Sequence, residues 1–178
     1  MRWPLLVVGV LAMIFVALLV WRIFVLADND KTKVDVARIH ATKLTWGDIN
    51  GTLPPDPDSA ENNATPAGVD SNSNGIRDDV ERAIYSKYKD TPRVVIAMLQ
   101  YAKELQMEFT EVRNSETLVA VIQEEGRGYG CVNDDKKIKE IESLVLNNDK
   151  RLQFAEDILR KYMVSYTLLN EEDCDITL

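Results

Sequence analysis

The chain has 178 residues with 21 basic and 29 acidic side chains, a formal net charge of -8. Arg2 and Arg22 precede every acidic residue, so the part from Asp28 onward holds 19 basic against 29 acidic groups, a charge of -10. Nucleic acid and anionic lipid attract clustered Lys and Arg, so this balance argues against nucleic acid as a partner and favours a cation or a basic protein.

Residues 1–27 predict a transmembrane signal anchor. Residues 3–21 carry no charge, and as a helix they would extend about 28 Å, enough to cross a hydrocarbon core. Trp3 and Trp21 stand at the two ends of this run, where indole rings favour the membrane interface. A cleaved signal peptide is the alternative, because Val25-Leu26-Ala27 ends in a small residue before Asp28. The length of the apolar run favours the uncleaved anchor.

Residues 28–69 predict a charged stem followed by a linker. The stem has a weak helical pattern over residues 34–44. Between residues 50 and 69, four prolines together with Asn, Asp and Gly leave no periodic apolar face.

The segment Asp70-Ser-Asn-Ser-Asn-Gly-Ile-Arg-Asp-Asp-Val-Glu81 fits the pattern D-x-[DN]-x-[DN]-G-x5-E. Calcium takes about six to eight oxygen ligands, which a loop of this length supplies in a single turn, with glycine at the sharp bend. The predicted calcium ligands are five side chains and the backbone carbonyl of Ile76: Asp70, Asn72, Asn74, Ile76, Asp78 and Glu81. The alternative is a polar turn in which Asn and Asp side chains bond to the backbone and cap the next helix.

On these residues the loop resembles the calcium loops of EF-hands, with two differences. Its eighth position holds Arg77 where an EF-hand carries an aliphatic residue, and no incoming helix precedes Asp70. It is more similar to the extracellular loops of thrombospondin type 3 repeats and dockerin-like segments. The resemblance covers residues 70–81 and implies the same ligand roles without EF-hand pairing. The rest of the chain resembles small, uncharacterised bacterial envelope proteins, which implies nothing about activity.

After the loop, apolar residues recur at three- and four-residue spacing and predict four or five amphipathic helices. The first starts inside the loop, and the second follows the cap Thr91-Pro92. A third starts after Ser115 and stops at the glycine cluster of residues 126–130, which lacks the Lys-Ser/Thr of a phosphate-binding loop. Two more cover residues 138–145 and 152–166. The acidic tail that follows is expected to be solvated.

These elements predict an all-α protein with an N-terminal transmembrane helix, a linker, and a small helical bundle of four to five helices with one calcium loop. The predicted boundaries are residues 1–27 for the anchor, 28–69 for the stem and linker, and 70–178 for the calcium-loop domain.

Cys131 and Cys174 are the two cysteines of the chain, a count consistent with one disulfide. If the helices after Gly130 fold back as a hairpin, the tail returns close to the turn and a bridge becomes geometrically feasible. Two buried free thiols are the alternative. His40 is the single histidine, so a catalytic triad would depend on it alone, and we expect it to be a partly exposed side chain.

The orientation of the anchor depends on two opposing signals. Basic residues favour the cytoplasmic side, and most of those near the span follow it: Arg22, Lys31, Lys33 and Arg38, against Arg2 before it. A loop suited to millimolar calcium and a cysteine pair favour an oxidising exterior. We give the calcium loop and the cysteine pair more weight than the basic residues. We therefore predict a single-pass protein of the bacterial inner membrane, with its C-terminal domain in the periplasm or outside.

Three function classes are compatible with these features. The first is a membrane-anchored binding or structural module whose fold calcium stabilises. The second is an inhibitor or immunity-type protein that binds a basic partner. The third, a metal-assisted hydrolase, is disfavoured because the loop uses its ligands to enclose the ion, and no catalytic constellation accompanies it.

Overall fold

The computed structural model describes residues 3–50, 52–171 and 173–177, with the side chains of the first helix from Val7 onward. Over these residues the protein is all-helical, without a strand, which confirms the predicted fold class. The helices in chain order are α1 (Trp3–Ala41), α2 (Trp46–Asn50), α3 (Ser59–Asn62), α4 (Asp78–Tyr88), α5 (Pro92–Thr110), α6 (Ser115–Val132), α7 (Asp135–Val145) and α8 (Asp149–Tyr162).

Helix α1 continues without a break from the apolar run into the charged stem. It is long and apolar enough to cross a membrane, and every side chain from Val7 to Phe24 is exposed. A continuous apolar surface of this extent is unusual for a protein in water. The ring of Trp3 and Arg2, which bear on the predicted interface contact and orientation, lie outside the described residues.

The bundle is organised around α5, which packs against α4, α6, α7 and α8. Its main core joins apolar side chains of the loop and of α4, α5 and α7, among them Ile76, Val80, Ile84, Met98, Leu99, Ile141 and Val145. Full burial of such a side chain stabilises the fold by about 1.5 to 3 kcal/mol. The stem contributes as well: Leu44 lies in this core, and Ile39 packs with Met107 and Val121 in a second cluster.

Helix starts follow local capping chemistry. Helix α5 begins at Pro92 after Thr91, as the sequence predicts, although the Thr91 side chain makes no capping bond. Helix α6 is capped by Asn114 rather than by Ser115, because Asn114 and Thr117 exchange reciprocal side-chain to backbone bonds.

Residues 62–66 of the predicted linker are fixed to the bundle by Arg151, a fully buried side chain in the first turn of α8. Its guanidinium donates to the backbone carbonyls of Asn62 and Pro66. It also donates to the side-chain oxygens of Asn63 and Asn147. Such a planar five-donor group satisfies several buried acceptors at once, which replaces the missing apolar face of this segment.

Arg77, also fully buried, explains the unusual residue at the eighth loop position. It donates to the carbonyls of Leu144 and Val145 at the end of α7 and pairs with Asp79. The last carbonyls of a helix lack intrahelical donors, so a cation there satisfies them. Gly68 passes close by with φ 72°, and a side chain there would overlap the Arg77 methylenes.

The prediction of a helix stop at the glycine cluster is wrong, because α6 continues through it. Gly128 lies where α6 crosses α5: a Cβ there would overlap the Glu104 carboxylate and lie 3.0 Å from the Tyr101 Cα. A Cβ at Gly130 would lie 2.6 Å from the Asp173 Cγ in the tail. Glycine costs about 1 kcal/mol relative to alanine in a helix interior, and here close packing offsets that cost.

The tail is only in part a solvated charge run: Glu171 is exposed, whereas Asp175 is not. Helix α8 ends at Tyr162, and the chain then continues without regular structure past Gln123 of α6, whose side chain donates to the Thr167 carbonyl. The Asp175 side chain is only 3% exposed; it accepts the backbone N–H of Leu44 and pairs with Arg127. The Gln100 side chain donates to the Asp173 carbonyl and accepts the Asp175 N–H.

The two cysteines meet where the tail reaches the end of α6. The Sγ atoms of Cys131 and Cys174 lie 2.09 Å apart and their Cα atoms 4.9 Å apart, a disulfide distance. The return of the tail that the sequence suggests is therefore present, although the tail follows α6 rather than closing a simple hairpin.

Candidate metal centre

The loop of residues 70–81 connects the segment held by Arg151 to α4 and bends around one carboxylate. Oxygens of Asp70 accept the backbone N–H groups of Asn74 at 3.2 Å and of Gly75 at 2.8 Å. Gly75 has φ 85°, the left-handed conformation expected at the sixth position, and Ser73 has φ 57°. The sequence pattern thus predicts the local bend correctly.

The two asparagines of the loop turn their amides toward Glu81. Nδ2 of Asn72 and Nδ2 of Asn74 donate to Glu81 Oε2 at 3.2 and 3.1 Å. The Asn74 Oδ1 accepts the Ile76 N–H at 2.9 Å. A half-turn of a side-chain amide exchanges the positions of its nitrogen and its oxygen. Each of the two asparagines can therefore present either a hydrogen-bond donor or a metal ligand on the side that faces Glu81.

Asp78 and Glu81 are the two buried acids of the loop, 0% and 2% exposed. Asp78 Oδ1 accepts the Ser71 N–H at 3.0 Å, whereas its Oδ2 has no hydrogen-bond partner among the described residues. Burial raises the pKa of Glu81; the bonds from the two asparagines lower it, and the charges of Asp78 and Asp70 raise it further.

Cations of the bundle point away from these acids. The methylenes of Lys103 cover Gly75, but its Nζ donates to the Lys43 carbonyl and lies 3.3 Å from Asp48 Oδ2. Within the described part of the chain, none of the three carboxylates predicted as ligands (Asp70, Asp78 and Glu81) has an ion-pair partner, whereas the fourth loop carboxylate, Asp79, pairs with Arg77. Among the described residues, the three predicted ligand carboxylates are therefore without a protein counter-ion of their own.

The predicted ligands all lie in one loop, but the acidic side chains among them are not gathered around a common point. Over residues 3–50, 52–171 and 173–177, no group of three or more His, Cys, Asp or Glu side chains is arranged to hold a metal ion. The observed backbone bonds also fit the polar turn that is the alternative. The unpartnered oxygen of Asp78 is the feature that a polar turn leaves unexplained.

No protein-family model, curated protein or solved structure matches the chain significantly. Residue chemistry and geometry alone therefore carry the functional assignment.

A second polar cluster, which the sequence pattern does not reveal, joins α1, α6 and the tail. The buried Glu124 carboxylate lies 2.7 Å from His40 Nδ1, 2.6 Å from Lys43 Nζ and 2.8 Å from Arg127 Nη1. Burial raises the pKa of Glu124, but the bonds from these three groups outweigh burial and hold it below its ordinary value. His40, partly exposed as expected, takes part in a structural ion-pair network.

Three further glutamates meet between α5 and α6. Burial raises the pKa of Glu108 and that of Glu125, and the neighbouring Glu108 charge raises the pKa of Glu125 further, well above its ordinary value. Burial also raises the pKa of Glu104, whose Oε2, like Oε1 of Glu125, has no partner among the described residues. A carboxyl group whose pKa is raised by burial and by a neighbouring carboxylate keeps its proton to higher pH than a solvated one.

We expect Glu125→Gln to stabilise the protein at alkaline pH. A carboxyl group whose folded pKa is raised gives stability that is complete below the unfolded pKa, about 4.3, and is lost as the pH rises through the folded value. The amide mimics the protonated acid, so the variant should gain about 1 to 3 kcal/mol over the unmodified chain at high pH and nothing at low pH. Urea unfolding across pH measures this, with exposed Glu116→Gln as control. Parallel pH profiles for Glu125→Gln and the unmodified chain would contradict the raised pKa of Glu125.

Proposed function

We propose that this protein is a membrane-anchored, extracytoplasmic module whose helical bundle is stabilised by calcium in the loop of residues 70–81. The buried, unpartnered oxygen of Asp78 beside Glu81 is the observation that carries the proposal. A buried carboxylate without a counter-charge is costly, and a divalent cation held by oxygen ligands removes that cost.

The ligand set follows from small adjustments to the observed loop. Asp78 already has a free oxygen, and the Asn72 and Asn74 amides already face Glu81. When the two amides present their oxygens instead of their nitrogens, they give up the bonds that those oxygens accept from the Asn74 and Ile76 N–H groups, and Glu81 is released to bind with both of its oxygens. Asp70 and the carbonyl of Ile76 complete a set in the range that calcium prefers.

We assign the ion a structural role because of what the loop joins. The Asp78 N–H donates to the Val69 carbonyl, and Arg77 binds the end of α7. An ion that fixes the loop therefore fixes the junction of α4, α7 and the preceding segment. The ligands enclose the ion, whereas a catalytic metal requires an open coordination position.

The proposed location has two supports. The exposed apolar surface of α1 fits a bilayer rather than water. The cysteine pair at disulfide distance fits an oxidising compartment such as the bacterial periplasm.

Calcium should stabilise the unmodified protein and not the Glu81→Gln variant. With a dissociation constant of about 0.1 mM and about 1 mM free calcium, linkage gives about 1.4 kcal/mol. In chelator the variant should be at least as stable as the unmodified chain, because burial disfavours the Glu81 charge. Thermal unfolding of the full chain in detergent, with calcium and with chelator, measures both effects.

The matched control for this test is Glu156→Gln, an exposed position on α8, which should keep the whole calcium response. Magnesium should stabilise less, because it demands a smaller octahedral site. Equal unfolding midpoints of the unmodified chain in calcium and in chelator would show that the loop is only a polar turn.

The anchoring half of the proposal predicts that the full-length chain stays in membranes during carbonate extraction. Protease added on the extracytoplasmic side should digest the bundle. A soluble product with its N-terminus at Asp28 would instead establish a cleaved signal peptide.

A further inference from the structure

We infer that calcium in the loop controls how firmly the bundle holds residues 43–50 (the connecting segment), which directly follow α1. This regulation rests on the proposed calcium site and extends its effect to the part of the chain next to the membrane helix. Two side chains, Lys103 and Tyr85, join the ligand loop and α4 to the connecting segment.

The connecting segment depends on tertiary contacts for its position. Helix α1 ends at Ala41, and α2, which occupies most of the segment, is five residues long and contains no buried residue. An isolated helix of that length is unstable in water. Leu44 lies in the main core and Ile49 packs against it, whereas Trp46 is exposed. A small number of side-chain bonds therefore decides how firmly the segment is held.

Lys103 of α5 contacts the loop with its stem and the connecting segment with its ammonium group. A Cβ built on Gly75, at the bend of the loop, would lie 3.3 Å from Lys103 Cε. The Nζ donates to the Lys43 carbonyl at 3.0 Å and lies 3.3 Å from Asp48 Oδ2. The side chain is only 9% exposed. Because protein interiors are close-packed, a shift of the bend displaces this stem and weakens both of its bonds.

Tyr85 of α4 is the second connection, one helical turn after the proposed ligand Glu81. Residues four apart lie on the same face of a helix. The Tyr85 hydroxyl donates to the Ile49 carbonyl at 2.6 Å. Burial raises the pKa of Tyr85, and the charges of Glu81 and Asp48 raise it further. A proposed ligand and an acid of the connecting segment thus act on the same hydroxyl.

Both connections predict that calcium tightens the connecting segment. The ion fixes the bend at Gly75 and the first turn of α4, which restricts the two side chains that hold the segment. It also offsets the negative charge of Glu81 near Asp48. With a dissociation constant of about 0.1 mM and about 1 mM free calcium, an opening that breaks the site becomes rarer by a factor of about 11. The ion therefore adjusts the hold on the segment within this bound.

Hydrogen exchange of the full chain in detergent, with calcium and with chelator, tests the coupling. The amides of Leu44, Thr45 and Asp48 report opening of the connecting segment, since each is hydrogen-bonded. Calcium should slow their exchange severalfold, and at most about elevenfold, together with exchange at residues 74–76 of the loop. If the segment opens independently of the loop, its amides exchange at the same rate in both conditions.

The possible failures are distinguishable. Slower exchange at residues 74–76 with unchanged exchange at residues 44–48 would overturn the inference and leave the calcium site standing. Unchanged exchange in both places would refute the proposed site and this regulation together.

A double variant removes the two connections. Lys103→Met with Tyr85→Phe keeps most of the apolar contacts of both side chains but none of their bonds to the connecting segment. Exchange at residues 44–48 should become faster and lose its calcium response, while residues 74–76 keep theirs. Tyr85→Phe alone, which removes a single hydroxyl, should lose part of the response with a smaller loss of stability.

The matched control makes the same two changes at neighbouring positions of α4. Lys87 and Tyr88 both donate to Glu140 of α7 rather than to the connecting segment. Lys87→Met with Tyr88→Phe should therefore keep the whole calcium response at residues 44–48. An equal response in the control and in the double variant at positions 85 and 103 would overturn the inference.

Discussion

Replacing Arg151 with methionine should lower the free energy of unfolding by about 3 to 5 kcal/mol. Methionine fills much of the volume of the arginine stem, but it leaves the buried carbonyls of Asn62 and Pro66 without a donor. The side-chain bonds to Asn63 and Asn147 are lost as well. Arg151→Lys should recover only part of the loss, because a single ammonium cannot reach acceptors spread around a planar fork.

The same helix supplies the control for this prediction. Arg160 also lies on α8, but its side chain is 75% exposed, and among the described residues it pairs only with Asp157, three residues away. Arg160→Met should change stability by less than about 0.5 kcal/mol. Urea unfolding followed by circular dichroism compares the variants, and hydrogen exchange should accelerate at residues 62–69 only in Arg151→Met. Similar losses for both arginines would mean that Arg151 does not hold this segment.

Arg151 and Arg77 also show where sequence reasoning stops. Apolar periodicity predicts the five helices after the loop, because each helix buries one apolar stripe against its neighbours in the bundle. The segment of residues 62–69 has no such stripe, and its attachment comes from polar bonds to residues far along the chain. A linker and a segment fixed by buried arginines therefore look alike in sequence.

The glycine cluster failed as a stop signal for a related reason. Propensity alone disfavours glycine inside a helix, yet Gly128 and Gly130 allow α5 and the tail to approach α6 closely. This gain belongs to tertiary packing, which local sequence does not record. Asp175 was misjudged for the same reason, because its burial comes from contacts with Arg127 and Leu44, which are distant in sequence.

The candidate site was predictable in its local part. The spacing of the loop specifies the bend at Gly75 and the backbone bonds to Asp70, and both are present. The burial of Asp78 could not be foreseen, since it depends on how the loop packs on the bundle. The juxtaposition of Glu108 and Glu125 was missed because charged residues at helical spacing usually form a solvated face.

Removing the link between Cys131 and Cys174 should cost about 4 kcal/mol, because the bond closes a long loop in the unfolded chain. The two residues are separated by 43 positions, which include the whole of α7 and α8. Cys174→Ser and Cys131→Ser should give the same loss, and reductant should have no further effect on either variant. Urea unfolding of the oxidised and reduced unmodified chain should reproduce that difference.

The tail has other attachments, so the disulfide should act mainly through the unfolded state. Asp175 would still pair with Arg127, and Gln100 would still bond the backbone at Asp173 and Asp175. Reduced chains should therefore keep their helix content, while the tail exchanges its amide hydrogens faster. Asp175→Asn in the oxidised chain is the matched comparison: it weakens the ion pair but leaves the loop closed, so it should cost less than Cys174→Ser. If Asp175→Asn costs more, the folded contacts of the tail, rather than loop closure, dominate its contribution to stability.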